Sequence, residues 1–348
     1  MCIPKTIASP ESTEPVTIEY LCSDEMAVSR YLTESPFKSM ELQSLDEHTD
    51  GSIVLIDMIR MYNDNPTAIG EIIQRGIPII MLNLLPDMVQ TIHDCVGFIT
   101  YNENSELTGM WLHDNLLGSY NVYDYDSKAL ALSGICELMM EETGLEAPEG
   151  ASLAYFDKFT KICGDFGKFN VRTYYYQITD TRDQNDFYLT HYTIQGICND
   201  GYSKSLLGVR SNLESTTTWP QELVDYGPTT APGTTTVGFD AGVTAGYSSG
   251  PTVTPGFNVS WSHSYSDVDV IDDCDFDYNL FEIKYDINEC TNSGYHTLKV
   301  EPGSVEATPD GFGYYADETY MAQFCHVVMH GFWHNNFTDF TQHQTVMI

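Results

Sequence analysis

Residues 236–265 read TVGFDAGVTAGYSSGPTVTPGFNVSWSHSY, and this stretch decides how the rest of the chain is interpreted. Apolar residues occupy alternate positions in two runs, 237–247 and 253–261, which are joined at Ser249-Gly250-Pro251. The positions between them carry mainly Gly, Thr, Ser, Asn and Asp. Because alternate side chains of a β-strand lie on opposite faces, each run predicts an amphipathic strand, and the pair predicts a hairpin.

A membrane-crossing strand needs about 9–11 residues, which either run supplies. Since open strand edges are excluded from lipid, one hairpin would have to join the hairpins of other copies in a closed barrel. The alternative is an amphipathic hairpin in a soluble β-sandwich, whose strands alternate in the same way. Periodicity leaves both interpretations open, but the many Gly and Thr residues favour the first because they weaken packing in a soluble strand.

The composition indicates a globular protein with an acidic surface. The 348 residues, 42% hydrophobic and 12% aromatic, are enough for two domains with proper cores. A net charge of −35 with only 15 Lys and Arg excludes a nucleic-acid-binding protein, which needs clustered basic residues. The same charge should repel anionic membrane surfaces.

Neither the cysteines nor the N-terminal sequence determines whether the protein works in a reducing or an oxidising compartment. The sequence MCIPKTIASPEST lacks the apolar segment of a signal peptide, and no apolar run is long enough for a spanning helix. Nine cysteines without a CxxC pair indicate neither a zinc ribbon nor a fully paired disulfide framework. The candidate disulfide pairs are Cys274 with Cys290 and Cys163 with Cys198, and for each pair two buried free thiols are the alternative.

The chain divides into two regions near residues 143–152, whose composition is typical of a linker. Residues 1–145 alternate predicted strands, such as 52–59 and 77–84, with predicted helices, which indicates an α/β domain with a mostly parallel sheet. Residues 151–348 are rich in short predicted strands and indicate an antiparallel β-sandwich with the hairpin region at 230–270. The predicted fold class is therefore α+β and multidomain. Two of the sandwich strands are predicted at 276–285 and 324–334.

The sequence offers little catalytic chemistry, and we expect neither an enzyme nor a cofactor. Asp57 ends a predicted buried strand, where α/β folds bind ligands, but no nucleotide-binding or nucleophile motif follows any strand. A structural role for Asp57 is favoured, and an enzyme within residues 1–145 remains an alternative. His326, His330 and His334 would align as metal ligands on a helix, yet the segment is equally consistent with a strand, so no metal site is predicted.

Residues 237–270, VGFDAGVTAGYSSGPTVTPGFNVSWSHSYSDVDV, resemble the glycine-rich pre-stem of the leukocidin/α-haemolysin superfamily of β-barrel pore-forming toxins, most closely its cytolysin branch. Two other places agree with this resemblance. SIVLIDMIRM followed by GFITYNENSELTGMWLHDN is similar to strands of the N-terminal pro-region of those cytolysins, and HVVMHGFWHNNFTDFTQHQTVMI is similar to the closing strands of their sandwich.

The resemblance implies a secreted monomer that binds a target-cell membrane through a lipid or glycan receptor and assembles into a homo-oligomeric ring. Each protomer would then insert its hairpin into one shared transmembrane barrel. The residues that would face lipid are Val237, Phe239, Ala241, Val243, Ala245, Tyr247, Phe257, Val259 and Trp261. The residues that would line the pore are Thr236, Asp240, Thr244, Asn258, Ser260 and Ser262, with Asp240 favouring cations.

The resemblance is incomplete, and it leaves a second function open. Only residues 267–348 follow the hairpin, so the membrane-binding rim of the family must be reduced, and no basic processing site separates residues 1–150 from the rest. The leading interpretation is a pore-forming protein whose N-terminal domain restrains or chaperones it. The alternative is a secreted binding or self-assembling structural protein that keeps the fold but does not insert.

Overall fold

The fold is taken from a computed structural model of the chain. It describes residues 16–21, 25–44, 47–59, 68–97, 99–101, 104–113, 116–141, 151–178, 185–213, 220–228, 235–243, 257–265, 268–287, 297–309, 312–329 and 333–348. Within these residues the chain is built mainly of β-strands, which form two large sheets and one separate two-stranded ribbon.

The described residues before position 142 contain seven strands and four helices. The strands are β1 (Thr17–Leu21), β2 (Lys38–Glu41), β3 (Ile53–Asp57), β4 (Ile79–Leu82), β5 (Ile99–Tyr101), β6 (Leu107–His113) and β7 (Leu116–Tyr123). The helices are α1 (Glu25–Leu32), α2 (Ala68–Gln74), α3 (Pro86–Val96) and α4 (Lys128–Met140).

The described residues after position 150 are almost entirely strands. They are β8 (Ala151–Ile162), β9 (Gly167–Ile178), β10 (Asn185–Cys198), β11 (Ser203–Leu213), β12 (Glu222–Gly227), β13 (Thr235–Val243), β14 (Phe257–Tyr265), β15 (Val268–Asp272), β16 (Leu280–Ile287), β17 (Thr297–Val300), β18 (Gly303–Pro309), β19 (Tyr315–Met329) and β20 (Trp333–Met347). A short 3-10 helix, Gly164–Phe166, links β8 and β9.

The larger sheet runs through both halves of the chain, in the order β12-β18-β10-β9-β8-β7-β6-β4-β3-β1-β2, with β17 also pairing with β10. Strands β1 to β4 pair in parallel, β6 and β7 continue the sheet antiparallel, and β7 pairs in parallel with β8. From β8 onward the pairing is antiparallel. The pairing of β7 with β8 therefore joins the N-terminal and C-terminal regions, which differ in composition, into one continuous sheet.

The smaller sheet has the order β15-β16-β11-β19-β20-β5. Strand β5 comes from the N-terminal region and pairs antiparallel with the end of β20, at Thr345–Met347. A second link between the regions is thus built from strands more than 200 residues apart in the chain, which local sequence patterns do not reveal.

Alternation along β3 shows how the larger sheet is covered on both faces. All five residues of β3 are buried, as expected for a central parallel strand. Ile53 and Leu55 belong to one apolar cluster with residues of α1 and α4, whereas Val54 and Ile56 belong to another with residues of α2 and α3. The second cluster continues into the space between the two sheets, so the smaller sheet lies on the same face as α2 and α3.

The helix ends follow from their local sequence. Helix α3 starts with Pro86, and it ends at Gly97, which has a φ of 74° and donates its backbone N–H to the His93 carbonyl at 2.7 Å. Helix α4 starts after Ser127, whose hydroxyl accepts the Leu130 N–H at 3.2 Å. Both helices are therefore set in place by capping as well as by packing.

Aromatic rings fill the space between the sheets. The rings of Phe159 and Tyr320 pack edge to face, with their centroids 5.0 Å apart, and the rings of Tyr192 and Phe281 stack with their centroids 5.5 Å apart. Each such pair contributes about 0.5–1.5 kcal/mol beyond the area that it buries. These contacts join the two sheets into a β-sandwich.

Most of the strands and helices predicted from the sequence are present, and several details are corrected. The described strand pairs of the N-terminal region are mostly parallel, in line with the sequence, but β6 and β7 add two antiparallel pairs that the sequence did not indicate. The strand predicted at 276–285 begins only at Leu280, since Asp275 and Leu280 close a turn in which Asn279 has a φ of 50°. The strand predicted at 324–334 is the second half of β19, and the chain has turned into β20 by Trp333.

Candidate functional site

The predicted hairpin is present as a ribbon of two antiparallel strands, β13 and β14, which we call the stem ribbon. Nine residue pairs run from Thr235 opposite Tyr265 to Val243 opposite Phe257. Among the strands that the structure describes, the ribbon forms a sheet of its own and pairs with neither larger sheet. Its attachment therefore differs from that of a central sandwich strand, which would be paired on both sides.

The register sorts the predicted apolar residues onto one face of the stem ribbon. Residues directly opposite each other in an antiparallel pair share a face. The pairs Val237 with His263, Phe239 with Trp261, Ala241 with Val259, and Val243 with Phe257 therefore occupy one face. Seven of the nine residues predicted to face lipid lie at these positions, and the other two, Ala245 and Tyr247, lie outside the described residues.

The opposite face of the stem ribbon carries the predicted pore-lining residues. Its pairs are Thr236 with Ser264, Gly238 with Ser262, Asp240 with Ser260, and Gly242 with Asn258. Only Thr244 of the predicted set lies outside the described residues. By sequence these positions carry glycine, hydroxyl and amide residues and one acidic residue, Asp240, which is a composition typical of a face exposed to water.

The stem ribbon lies at one edge of the larger sheet. Strand β12 is the edge strand, and β13 runs next to β12 and its neighbour β18. On the face of β18 that points away from the smaller sheet, Val305 and Ala307 are buried together with Leu189 of β10. An apolar surface that is closed to solvent therefore exists beside the ribbon.

Sequence reasoning missed a second feature, three buried acidic residues between the sheets, which we call the carboxyl cluster: Asp157 on β8, Glu306 on β18 and Glu318 on β19. All three have at most 1% of their surface exposed. The sequence of β19 did contain a sign of this cluster. Its buried positions alternate as Ala316, Glu318, Tyr320, Ala322 and Phe324, so that Glu318 stands where an apolar residue is expected. An acidic residue on the apolar face of a strand predicts a buried polar contact.

Glu318 is surrounded by donors from both sheets. Tyr192 donates to Oε1 at 3.0 Å, Tyr320 donates to Oε2 at 2.6 Å, and Tyr175 lies 3.1 Å from both oxygens. The amide of Gln344 donates to Oε2 at 2.9 Å. These bonds hold β19 and β20 against β9 and β10, while burial raises the pKa of Glu318.

Asp157 has donors on one oxygen only. Its Oδ1 accepts from Ser119 at 3.0 Å and from Asn121 at 3.4 Å, whereas Oδ2 has no hydrogen-bond partner among the described residues. Burial raises the pKa of Asp157 to about 7, and the nearby Glu318 adds to this effect. A proton on Oδ2 removes the unpaired charge, so the neutral carboxyl fits this site better than the carboxylate.

Glu306 repeats this arrangement. Thr190 donates to its Oε2 at 3.2 Å, and Oε1 lacks a hydrogen-bond partner within the described part of the chain. Burial raises the pKa of Glu306 to about 8, with a further contribution from Glu318. The carboxyl cluster therefore binds protons at a pH where exposed carboxyls have lost theirs.

The remaining candidate residues are scattered. Asp57 accepts hydrogen bonds from the backbone of Ile59 and the amide of Asn83, both at 3.2 Å, which is the structural role favoured from the sequence. His326 lies on β19, so the strand, one of the two alternatives that the sequence left open, holds for that residue. His330 and the side chain of His334 lie outside what is described, and the described residues contain no group that could hold a metal ion.

Five cysteines within the described residues are outside any disulfide bond. Cys163, Cys198 and Cys274 are not disulfide-bonded, so neither candidate disulfide pair is formed. Cys325, buried on β19, is disulfide-bonded. In the described part of the chain, no helix has the length and apolarity needed to cross a bilayer.

Comparisons with known proteins give no sequence match and several weak structural ones. No family model and no curated protein matches the chain. A solved structure described as "Pore forming protein" covers 58% of this chain and 92% of its own, with 11% identity and a TM-score of 0.35. The structure of the Clostridium perfringens delta-toxin covers 70% of this chain and 93% of its own, with 12% identity and a TM-score of 0.36.

A third solved structure, the Clostridium perfringens NetB toxin in its membrane-inserted form, covers 56% of this chain and 95% of its own. Its identity is 9% and its TM-score is 0.30. At TM-scores this low the similarities establish neither a shared fold nor a shared activity.

Proposed function

We propose that the chain is a pore-forming protein that oligomerises on a target membrane and inserts the stem ribbon of each protomer into one shared transmembrane barrel. The observation that supports this most is the ribbon itself: two paired strands outside both large sheets, with apolar residues on one face and small polar residues on the other. This division is what a barrel wall between lipid and water requires.

The dimensions of the stem ribbon fit the proposal. Each described strand has nine residues, at the lower end of the roughly 9–11 that a tilted strand needs to cross the apolar part of a bilayer. A single ribbon has two open edges, which lipid does not tolerate, so several protomers must contribute to one closed wall. The pore then repeats Asp240 once per protomer and favours cations.

In the soluble form, the proposal places the apolar face of the ribbon on the buried apolar surface formed by Val305, Ala307 and Leu189. Strand β13 already runs next to β18, which carries two of these residues. When the ribbon leaves this surface, its apolar face exchanges contact with protein for contact with lipid, because the same face meets lipid in the barrel. Within the described residues the ribbon shares no ladder with β12 or β18, so its release breaks none of the described ladders of the two large sheets.

The expected setting is outside the producing cell. We propose a secreted protein whose target is a zwitterionic or glycolipid-containing membrane, because a net charge of −35 disfavours anionic lipid surfaces. The proposal needs no cofactor and no catalytic residue.

The full-length chain is expected to release a small trapped dye from neutral phosphatidylcholine vesicles or from vesicles of erythrocyte lipid, and to retain a large dextran. Co-trapping both solutes distinguishes a pore of limited width from general lysis. Binding without release of either solute, on every lipid tested, would support the alternative of a non-inserting binding or self-assembling protein.

A further inference from the structure

Strand β18 separates the proposed position of the stem ribbon from the space between the two sheets. Val305 and Ala307 are buried on the face over which the ribbon is placed. Ser304 and Glu306 alternate with them and are fully buried on the face towards the smaller sheet. Because alternate residues of a strand point to opposite faces, a change at Glu306 acts on the same strand that carries the apolar surface.

Polar groups without partners collect on the inner face of β18. Four buried atoms have no hydrogen-bond partner among the described residues: Glu306 Oε1, Ser304 Oγ, Ser211 Oγ on β11, and the hydroxyl oxygen of Tyr314 ahead of β19. Ser304 lies beside Glu306, and Ser211 lies beside Tyr314. Since buried polar atoms are ordinarily paired, this group is a weak place in the packing of the sandwich.

The groups that face Glu306 disfavour its charge. Thr190 of β10 donates to Oε2 at 3.2 Å, which leaves Oε1 without a donor among the described residues. A second carboxyl, Glu318 on β19, faces Glu306, and so do the phenols of Tyr192 on β10 and of Tyr314. Burial raises the pKa of Glu306, and the neighbouring carboxyl adds to this effect. The side chain is therefore best accommodated with its proton.

The edge of the larger sheet is irregular next to Glu306. Strand β12, which precedes the ribbon in the chain, pairs antiparallel with β18, and Leu223 lies opposite Glu306. The register then shifts between Leu223 and Asp225. A bulge of this kind leaves a residue unpaired and bends its strand. Glu306 thus lies at an interruption of the ladder that holds the edge strand and the ribbon that follows it.

We propose that Glu306 is a pH switch for the stem ribbon: with its proton bound, β18 and β12 stay packed and hold the ribbon, and loss of the proton to solvent loosens both strands and releases it. The inference rests on the proposed function, because it concerns the release of the same ribbon. An ionised Glu306 needs water, and water reaches it when the strands around it separate. Ionisation and ribbon release therefore favour each other.

The direction of the pH dependence follows from this coupling. In the folded chain the pKa of Glu306 is about 8, whereas an exposed glutamate has a value near 4.3. At pH 6 the held form is protonated, and as the pH rises through 8 the proton is lost and the hold is lost with it. Release of one proton favours the released form by at most about ten-fold per pH unit. Above the pKa of the held form the dependence levels off.

The test measures initial rates of dye release from neutral phosphatidylcholine vesicles between pH 6 and pH 9. The wild-type rate is expected to rise about ten-fold over this range and to level off above pH 8. Glu306→Gln replaces the protonated carboxyl with a neutral amide and is expected to stay slow at every pH. Asp157→Asn is the matched control, since it changes the other buried carboxyl with one unpaired oxygen, on β8, four strands from β12 in the larger sheet. It is expected to keep the rise.

Hydrogen exchange of the soluble chain provides a readout without vesicles. Amides of β12 and β18 are compared between the wild type and Glu306→Gln at the same pH, so that the effect of pH on intrinsic exchange cancels. We expect equal exchange at pH 6 and exchange several-fold faster in the wild type at pH 8.5. Amides of β3, far from the ribbon in the order of strands, are expected to exchange equally in both proteins.

Leakage that does not change with pH, or a rise that Glu306→Gln retains, would overturn the switch and leave the proposed pore in place. A rise that is lost equally in Asp157→Asn would also overturn it, because the effect would then belong to the whole sandwich. If Glu306→Gln does not fold, the wild-type profile decides, and a flat profile overturns the switch. Absence of leakage at every pH contradicts the proposed function, and the exchange comparison then decides the switch separately.

Discussion

Vesicle leakage is expected to be lost in Val259→Asp and retained in Asn258→Asp. The two positions are adjacent on β14 and lie on opposite faces of the stem ribbon: Val259 pairs with Ala241 on the apolar face, and Asn258 pairs with Gly242 on the polar face. Each substitution adds one carboxyl at the same depth of the strand. Only the first carboxyl would have to enter lipid.

The loss of leakage in Val259→Asp is expected to be large because the substitution is repeated in every protomer of the ring. A carboxylate on the lipid face costs on the order of 1–3 kcal/mol per protomer, depending on depth. Because every protomer carries the substitution, the cost is multiplied by the number of protomers in the barrel. In Asn258→Asp, the new carboxylate faces water in the lumen and adds to the ring formed by Asp240, so leakage is retained and selectivity for cations increases.

Dye release measured at matched protein concentration checks this pair of variants. Circular dichroism and thermal melting of the soluble proteins show whether both variants fold like the wild type. Equal loss of leakage in two folded variants, or equal retention, would mean that the two faces of the ribbon do not meet different surroundings. The proposed insertion would then be wrong.

Stability is expected to fall as the pH rises from about 4 to about 8, because the carboxyl cluster binds protons in the folded chain and releases them in the unfolded chain. The native pKa of Asp157 is about 7 and that of Glu306 is about 8, both raised by burial. Below the unfolded pKa, near pH 4, both states are protonated and the stabilisation is complete. Above pH 8 both states are ionised, and the stabilisation is lost.

The expected loss is several kcal/mol in total, since one unit of pKa difference corresponds to about 1.4 kcal/mol. Asp157→Asn together with Glu306→Gln removes the two titrating groups and should flatten the pH dependence. Asp277→Asn, at an exposed carboxyl, is the control for the general effect of lowering the negative charge. Urea unfolding at several pH values between about 5 and 9 provides the free energies of unfolding.

A pH dependence that is identical in the double variant and the wild type would show that the two carboxyls do not titrate in this range. If the pH dependence is flatter in the double variant than in the wild type, Asp157 and Glu306 lose their protons near neutral pH in the folded wild type. Their ionisation then weakens the packing between the two sheets. The sandwich that holds the stem ribbon is then less stable at pH 8 than at pH 5.

The stem ribbon and the buried strands could be read from the sequence because their signals are local. The alternation from Val237 to Val243 and from Phe257 to Trp261 predicts two strands and their faces, and the register of β13 and β14 agrees with it. The apolar run at β3 predicts a strand buried on both faces. Both patterns follow from the two-residue period of a strand.

The links between distant parts of the chain could not be read in the same way. Strand β5 pairs with β20, and β7 pairs with β8, but alternation specifies only the face of a residue and not its partner strand. Exposed strands such as β2, KSME, carry no apolar pattern at all. Glu318 was visible as an acidic residue in an apolar alternation, and Tyr320 lies two residues away on the same strand, yet its donors Tyr175 and Tyr192 come from strands that only the fold brings close.

The most direct test of insertion follows the surroundings of each position along β14. An environment-sensitive fluorescent amino acid is placed at one position at a time from 257 to 262, and emission is recorded before and after vesicles are added. We predict a blue shift, and quenching by brominated lipid, at 257, 259 and 261, and neither change at 258, 260 and 262. Emission that shifts equally at neighbouring positions, or at none of the six while dye is released, would contradict the insertion of this ribbon as a barrel wall.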